Sequence, residues 1–329
     1  MPLISVVIPF FNQLRFLRQS VESVLRQTHT DFEVVVVDDG SDEDPSDLVR
    51  SLNDPRIRLI RQTNAGVATA RNTGIAVSNG EYFVFLDADD WLAPTMLEDL
   101  KHILAAAPDA GMAYSDIVRV GEEGEIADAH KIEHARDQLS GNILASLLLG
   151  GYFPPVCVMV RASALNMVGG FDQSLGGCCD WDMWLRIAAA GFNARFHSRE
   201  LAYYRLHALS MSKDSAHMRS AAVLTLAKNM AAFPQQLASA THLLVETSAE
   251  MYSANSALAR EKQDLTESLT QERDRIEHLE EAIAALNGQI NLLTEGKAWL
   301  EQQWEAYKKD NENKQAVIDS LVTNSNINR

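Results

Sequence analysis

Tyr82-Phe83-Val84-Phe85-Leu86 is an unbroken apolar run, and it ends abruptly in Asp87-Ala88-Asp89-Asp90. A short apolar run with no polar alternation predicts a strand buried on both faces. Such strands belong to open α/β sheets, in which ligands bind just beyond the carboxyl ends of the strands. Carboxylates placed there suit a hard divalent cation, and a cation suits a phosphate-bearing substrate. The same residues also suit a plain turn, because Asp favours turns, and Asp90 stands where it would cap a helix starting near Ala93-Pro94. A calcium EF-hand loop is excluded, since Leu92 occupies the position where the sharp turn needs glycine.

The rest of the first ninety residues decides between these readings. Leu3 to Ile8 is a β-branched strand ending at Pro9, and a helix is expected from Asn12 to Arg26. Phe32-Glu33-Val34-Val35-Val36-Val37 is a second strand, running into Asp38-Asp39-Gly40-Ser41. Arg56 to Ile60 is a third, and a helix follows over Gly66 to Val77. Near-continuous apolar strands alternating with helices predict a mainly parallel, doubly wound sheet. No Gly-x-Gly-x-x-Gly follows the first strand and no Gly-Lys-Ser/Thr loop occurs, which weakens dinucleotide and P-loop readings. A sheet that binds phosphates without a glycine-rich loop needs another counter-charge, and a metal on Asp87 and Asp89 would supply it.

From about Pro108 the pattern is mixed. Strands are expected over Ala110 to Val120, Val156 to Val160 and Tyr203 to His207, with a helix over Gln138 to Leu149. Cys179-Asp180-Trp181-Asp182-Met183-Trp184 opens a further helix that should stop at Gly191. Asp180, at its start, would serve as an N-cap if it has no other role.

Composition narrows the function. A net charge of −16 with no basic stripe argues against nucleic acid as a partner. Cys157, Cys178 and Cys179 have no metal-ligand or redox spacing, which suits reduced thiols in a cytosolic compartment. No leader peptide is expected at Met-Pro-Leu-Ile-Ser. Ile143 to Val160 carries no charge, but Gly150-Gly151 and Pro154-Pro155 interrupt it, so it reads as core and not as a membrane span.

Beyond Met211 glycine becomes rare and the tone is helical, and from Leu265 a heptad repeat sets in. One seam position carries Leu269, Ile276, Ile283, Ile290, Lys297, Trp304, Asn311 and Ile318. The other carries Leu265, Glu272, Leu279, Leu286, Leu293, Leu300, Tyr307, Lys314 and Leu321. Ile in the first seam with Leu in the second favours a parallel two-stranded coiled coil, with Lys297 and Asn311 fixing register. The alternative is one long helix packed on its own domain. A homodimer is expected, and the coiled coil could also recruit a partner enzyme.

With these motifs assembled in order, residues 1 to about 210 resemble inverting family 2 glycosyltransferases of the GT-A fold. Ile4 to Asn12 is similar to the family's opening strand and turn, Val37 to Asp42 to its nucleotide-base motif, and Ala70-Arg71-Asn72-Thr73-Gly74 to its third. Asp87-Ala88-Asp89 looks like its metal-binding Asp-x-Asp. Gly169-Gly170-Phe171-Asp172 and Asp180-Trp181-Asp182-x-Trp184 resemble the acceptor-side region, and Tyr204-Arg205-x-His207 with Ser210 and Ser212 the closing motif. Many members carry Glu immediately before the catalytic Asp, where this chain has Cys179.

The resemblance implies an α/β fold of GT-A type: a mixed, mainly parallel sheet flanked by helices, followed here by the long helical coiled coil. The expected division is a catalytic domain over 1–213, a helical linker over 214–257, the coiled coil over 258–323 and a disordered tail over 324–329. It implies transfer of a sugar from a nucleotide-diphosphate sugar, with UDP the first candidate, to a hydroxyl on a glycan or lipid-linked glycan. Pro9, Asn12, Asp39, Arg71, Asp87 and Arg205 would bind the donor. Asp89, Asp87 and His207 would hold Mn²⁺ or Mg²⁺, the lesser alternative for His207 being an ordinary strand-end histidine. Asp180 would be the general base, with Asp182 second, and Trp181 with Asp182 would face the acceptor. A cytoplasmic enzyme of cell-surface polysaccharide assembly, peripheral at the inner membrane face, follows by analogy. The rivals are a non-catalytic nucleotide-binding scaffold and a sugar-nucleotide pyrophosphorylase. The second should show a glycine-rich basic loop where Phe10-Phe11-Asn12 stands.

Overall fold

The computed structural model describes residues 3–128, 140–148, 153–208, 210 and 215–327. The chain divides into two units, Met1–Ser248 and Ala249–Arg329.

The first unit is built on one mixed sheet. Strands β1 (Ile4–Phe10), β2 (Phe32–Asp38) and β4 (Tyr82–Phe85) are buried at every position, as expected of strands covered on both faces. With the edge strand β3 (Ile57–Arg61) they form a parallel array in the order β3-β2-β1-β4. Beyond β4 the sheet continues through β8 (Val158–Arg161), β6 (Ala110–Val120), β9 (Asn193–Arg205) and β5 (Trp91–Leu92). Only β6 and β9 are parallel in this half; β4–β8, β8–β6 and β9–β5 are antiparallel, and β7 (Ile126–Asp128) pairs with β6. The strand order reverses at β1, which has β2 on one side and β4 on the other. That crevice is where an open α/β sheet receives ligands.

Helices α1 (Leu14–Leu25), α2 (Ser46–Leu52), α3 (Val67–Val77) and α4 (Met96–Ala106) connect the first strands. Helix α3 lies so close to β1 that a Cβ on Gly74 would stand 2.2 Å from Val7 Cγ1. The other half of the sheet adds α5 (Leu144–Leu148), α6 (Ala162–Val168) and α7 (Cys179–Ala189). Helix α8 (Ser215–Ala232) packs on α7. Helix α9 (Pro234–Ile327) follows, and its part in the second unit carries the heptads.

Several boundaries differ from the sequence reading. Asp90 does not cap a helix: the two-residue strand β5 intervenes, α4 starts at Met96, and Asp90 instead accepts the Arg205 backbone N–H at 2.8 Å. Asp180 is not an N-cap either, because Cys178 holds that place and Asp180 lies inside the first turn. Gly191 does end this helix, at φ +92°. The last strand begins at Asn193, ten residues ahead of the expected start, and stops at Arg205, so His207 lies beyond it. Its polar stretch hides a strand that pairs with β6 along most of its length. The uncharged stretch from Ile143 is buried where it is described except at Ser146 and Leu148, which are partly exposed, and no helix among the described residues is long and apolar enough to cross a membrane.

Candidate active site

A cavity of about 410 Å³ opens at the carboxyl ends of β1, β2 and β4, a size ordinary for a small-molecule site. Pro9, Phe10 and Phe11 line it from the end of β1, Asp39 from beyond β2, Asn64 from beyond β3, and Asp87, Ala88 and Asp89 from beyond β4. The opposite wall is Gly176, Gly177, Cys179 and Asp180, with Tyr204, Ser210 and Met218 closing it. Residues from most of the motifs thus converge, though in sequence they are spread from Pro9 to Ser210.

The loops beyond β2 and β3 are fastened by a carboxylate. Asp39 Oδ1 accepts Gln62 Nε2 at 2.7 Å and the Ala65 N–H at 3.0 Å, and its Oδ2 accepts the Gly66 N–H at 2.8 Å. Asp39 thereby holds the 62–66 loop against the cavity. Gly40, at φ +78°, allows this closure, because a Cβ there would lie 2.7 Å from the Asn64 nitrogen. Asn12 does not line the cavity; it takes φ +52° and braces the neighbouring turn, accepting the Asp42 N–H at 2.9 Å.

Arg71, from α3, lines the cavity and is almost wholly buried. Its Nη2 donates to Asp87 Oδ1 at 2.7 Å, its Nη1 lies 3.4 Å from Cys179 Sγ, and its guanidinium sits 5.2 Å from the centre of the Phe171 ring. Burial pulls against its charge, but the acidic groups around it, Asp87 first among them, together outweigh burial and the guanidinium stays firmly protonated. The Cys179 thiol has the opposite fate: burial pushes it up to about 12, so it is neutral.

Asp89 meets His207 Nε2 at 2.7 Å and Gln13 Nε2 at 3.5 Å. Burial and the neighbouring Asp87 raise the Asp89 carboxyl above its ordinary value, and His207 opposes them. Asp90 is raised further, by burial and then by Asp89 and Asp87. Among the described residues no three His, Cys, Asp or Glu side chains form a ready metal cage. The donor types nevertheless fit a hard cation of which the substrate's phosphates complete the shell, a common arrangement for Mg²⁺.

One expected donor-side group is spent elsewhere. Arg205 lies between the rings of Phe16 and Trp91, at 4.4 and 4.7 Å from their centres. Its donors go to the Asp89 carbonyl at 2.8 Å, Gln19 Oε1 at 2.6 Å and the Glu122 carbonyl. It braces the Asp-x-Asp turn from behind and is absent from the cavity wall. Ser212 lies outside the described residues.

At the start of α7 the two aspartates part company. Asp180 lines the cavity, with Oδ1 accepting the Trp181 N–H at 2.9 Å. Asp182 is turned inward, paired with Arg186 at 2.7 Å and accepting Asn229 Nδ2 of α8 at 2.8 Å. Trp181 is buried, and its Nε1 donates to the Leu147 carbonyl at 3.0 Å. Sequence reasoning missed Met218, which α8 brings to the cavity from outside every motif, and the wall glycines Gly176 and Gly177. The glycine pair just ahead of a helix was a legible signal; Met218 had none.

With this geometry in hand, comparison with known proteins is informative. Residues 5–169 match the family described as Glycosyl transferase family 2. An uncharacterized glycosyltransferase, alr2836 of Nostoc sp., is 32% identical over 234 residues, covering 66% of this chain and 69% of that protein. The chondroitin synthase of Escherichia coli is 31% identical over 194 residues, 58% of this chain but 27% of that protein. Against four such curated relatives the chain spans between 20% and 35% of their length. Among solved structures, S. aureus TarS 1-349 in complex with UDP-GlcNAc superposes with a TM-score of 0.54 at 18% identity, over 67% of this chain and 66% of that one. The mannosyltransferase PcManGT from Pyrobaculum calidifontis, in complex with GDP-Man and Mn²⁺, gives 0.54 at 21% identity, over 75% and 80%. At these identities the likeness is one of fold, the mixed α/β architecture of GT-A glycosyltransferases.

Proposed function

The chain belongs to glycosyl transferase family 2, and from that premise we propose a metal-dependent, inverting transfer from a nucleotide-diphosphate sugar, UDP-linked in the first instance, to a hydroxyl of a growing surface polysaccharide. The observation that carries it is one cavity with Asp87 and Asp89 on its strand-end wall and Asp180 on the facing wall. Structural relatives bound to UDP-GlcNAc and GDP-Man, and a chondroitin synthase among the sequence relatives, support the donor class and the polysaccharide setting.

In this reading the nucleotide lies along the walls made by Pro9, Phe11 and Asp39, with Arg71 beneath. A divalent cation held by Asp89, with Asp87 and His207 beside it, would supply the counter-charge for the two phosphates. Asp180 accepts the proton of the incoming hydroxyl as it attacks the anomeric carbon opposite the leaving diphosphate, which inverts that carbon. A positioned carboxylate contributes ~10²–10⁴-fold in such a step. Asp182 does not share this role, because its carboxylate is committed to Arg186 and Asn229. Gly176, Gly177 and Cys179 leave room for the acceptor where a larger side chain would narrow the cavity. A cytoplasmic setting agrees with three buried, unpaired cysteines.

The test is calorimetric titration of UDP with and without Mn²⁺, on the wild type and on Asp89→Ala. Metal-dependent binding that disappears in the variant is expected. Absence of binding by UDP, GDP and dTDP alike, with metal present, would reduce the head to a scaffold and refute the proposal.

A further inference from the structure

Within the second unit the described backbone is one uninterrupted helix, and its apolar seam is bare. Leu269, Ile276, Leu279, Ile283, Leu286 and Leu300 are between 54% and 75% exposed. They fall on the two seam positions of the heptad, the spacing that keeps a stripe facing one partner helix along a supercoil. The remaining positions are mostly polar or charged, so the helix presents a face that water disfavours on a body that water solvates.

We infer that a second copy of this chain covers the seam, parallel and in register. Three features favour this occupant over an unrelated helix. First, β-branched Ile276 and Ile283 alternate with Leu279 and Leu286, the choice of shapes that packs best in a parallel pair of like strands. Second, the flanking charges match their own copy in that orientation. Arg275 precedes the next heptad's Glu280 by five residues, so in a parallel pair each Arg275 faces the partner's Glu280. In the single helix Arg275 pairs with Glu272, at 3.7 Å. Third, Asn311 singles out one register. In register, Asn311 faces Asn311 and can share hydrogen bonds with it. Lys297 keeps Glu301, 3.8 Å away on its own helix, as counter-charge. A shift of one heptad would set an Asn311 against Trp304 of the other copy and lose the Asn311 pairing. This inference concerns the second unit and does not depend on the catalytic reading.

Sedimentation of the full chain tests it. The expected particle has twice the 36.4 kDa chain mass. Ile276→Asp with Ile283→Asp should give single chains that still bind nucleotide as the wild type does, which separates lost pairing from lost folding. Orientation is read by Leu286→Cys, since the native cysteines are all buried. Mild oxidation should link two chains through that position, because equivalent seam residues meet only in a parallel pair in register. Glu280→Arg should weaken self-association roughly fivefold by setting like charges face to face, and adding Arg275→Glu should restore it. A single-chain wild type or a particle of three or more chains overturns the assignment. So does a Leu286→Cys variant that resists cross-linking, or a charge swap that fails to rescue.

Discussion

Asn72 grips the peptide of Phe171 at both ends: its Nδ2 donates to the Phe171 carbonyl at 2.8 Å, and its Oδ1 accepts the Phe171 N–H at 2.7 Å. The two residues are 99 positions apart, and the pair of bonds ties helix α3 to the loop that leads towards the cavity wall carrying Asp180. Gly170 permits the approach, because a Cβ there would stand 2.3 Å from Asn72 Oδ1. Arg186 holds the same loop from the other side, donating to the carbonyls of Val168 and Gly170 at 2.7 and 2.9 Å.

Asn72→Ala should therefore remove two partly buried hydrogen bonds and leave the Phe171 peptide without its partners, at a cost of about 2 kcal/mol. Urea denaturation measures this. Transfer should fall more than UDP affinity does, since the loop belongs to the acceptor wall; an equal loss of both would place Asn72 on the donor side.

Asp180→Asn should lower transfer by ~10²–10⁴-fold while UDP binding stays near normal. Steady-state transfer and calorimetry on one preparation check the two halves. A collapse of donor binding would make Asp180 structural.

Asp182 should behave in the opposite way. Asp182→Ala strips Arg186 of its buried carboxylate partner and Asn229 of one of its two acceptors, which should destabilise the fold by roughly 3 kcal/mol. Asp182→Asn, which keeps the shape, should retain transfer within about tenfold of the wild type, less than the loss of a general base entails. Comparing urea midpoints and rates for the two variants distinguishes support from catalysis.

Asp172 links the same loop to α8. Burial alone would raise its carboxyl, but hydrogen bonds from Lys228 and Ser174 outweigh it and hold the group down to about 2, against 3.8 for an unperturbed Asp. A carboxyl depressed on folding stabilises the fold above its unfolded value and loses that contribution as pH falls. The contribution is thus complete above about pH 4 and lost as pH drops through about 2. Solvent screening limits it to about 1 kcal/mol or less. Lys228→Met should lower stability at neutral pH and converge with the wild type as the pH approaches about 2, by urea titration at a series of pH values.

Gly74→Ala should destabilise, although alanine is the better helix former by about 1 kcal/mol, because the new methyl would fall on Val7. A loss of about 1–3 kcal/mol is the ordinary cost of such overpacking. Val7→Ala in the same chain should recover part of it.

What was legible in the sequence is what local patterning dictates. Strands covered on both faces need continuous apolar residues, so β1, β2 and β4 stood out, and their ends located Asp39, Asp87 and Asp89. Glycine at the end of α7 and the heptads of α9 were equally plain, since φ and helical period are local properties. The tertiary structure decided whatever depends on which way a side chain faces. Asp180 and Asp182 differ by two helical positions, about 200° around the axis, so one must look away from the other; only packing against α8 put Asp182 inside and Asp180 on the cavity. Arg205 carried the right charge in the right motif, yet its neighbours Phe16, Trp91 and Gln19 come from other elements and draw it behind the Asp-x-Asp turn. Strand β9 and Met218 were hidden for the same reason. Pairing partners and cavity walls are made by chain segments that meet only when the fold closes, and no local pattern records them.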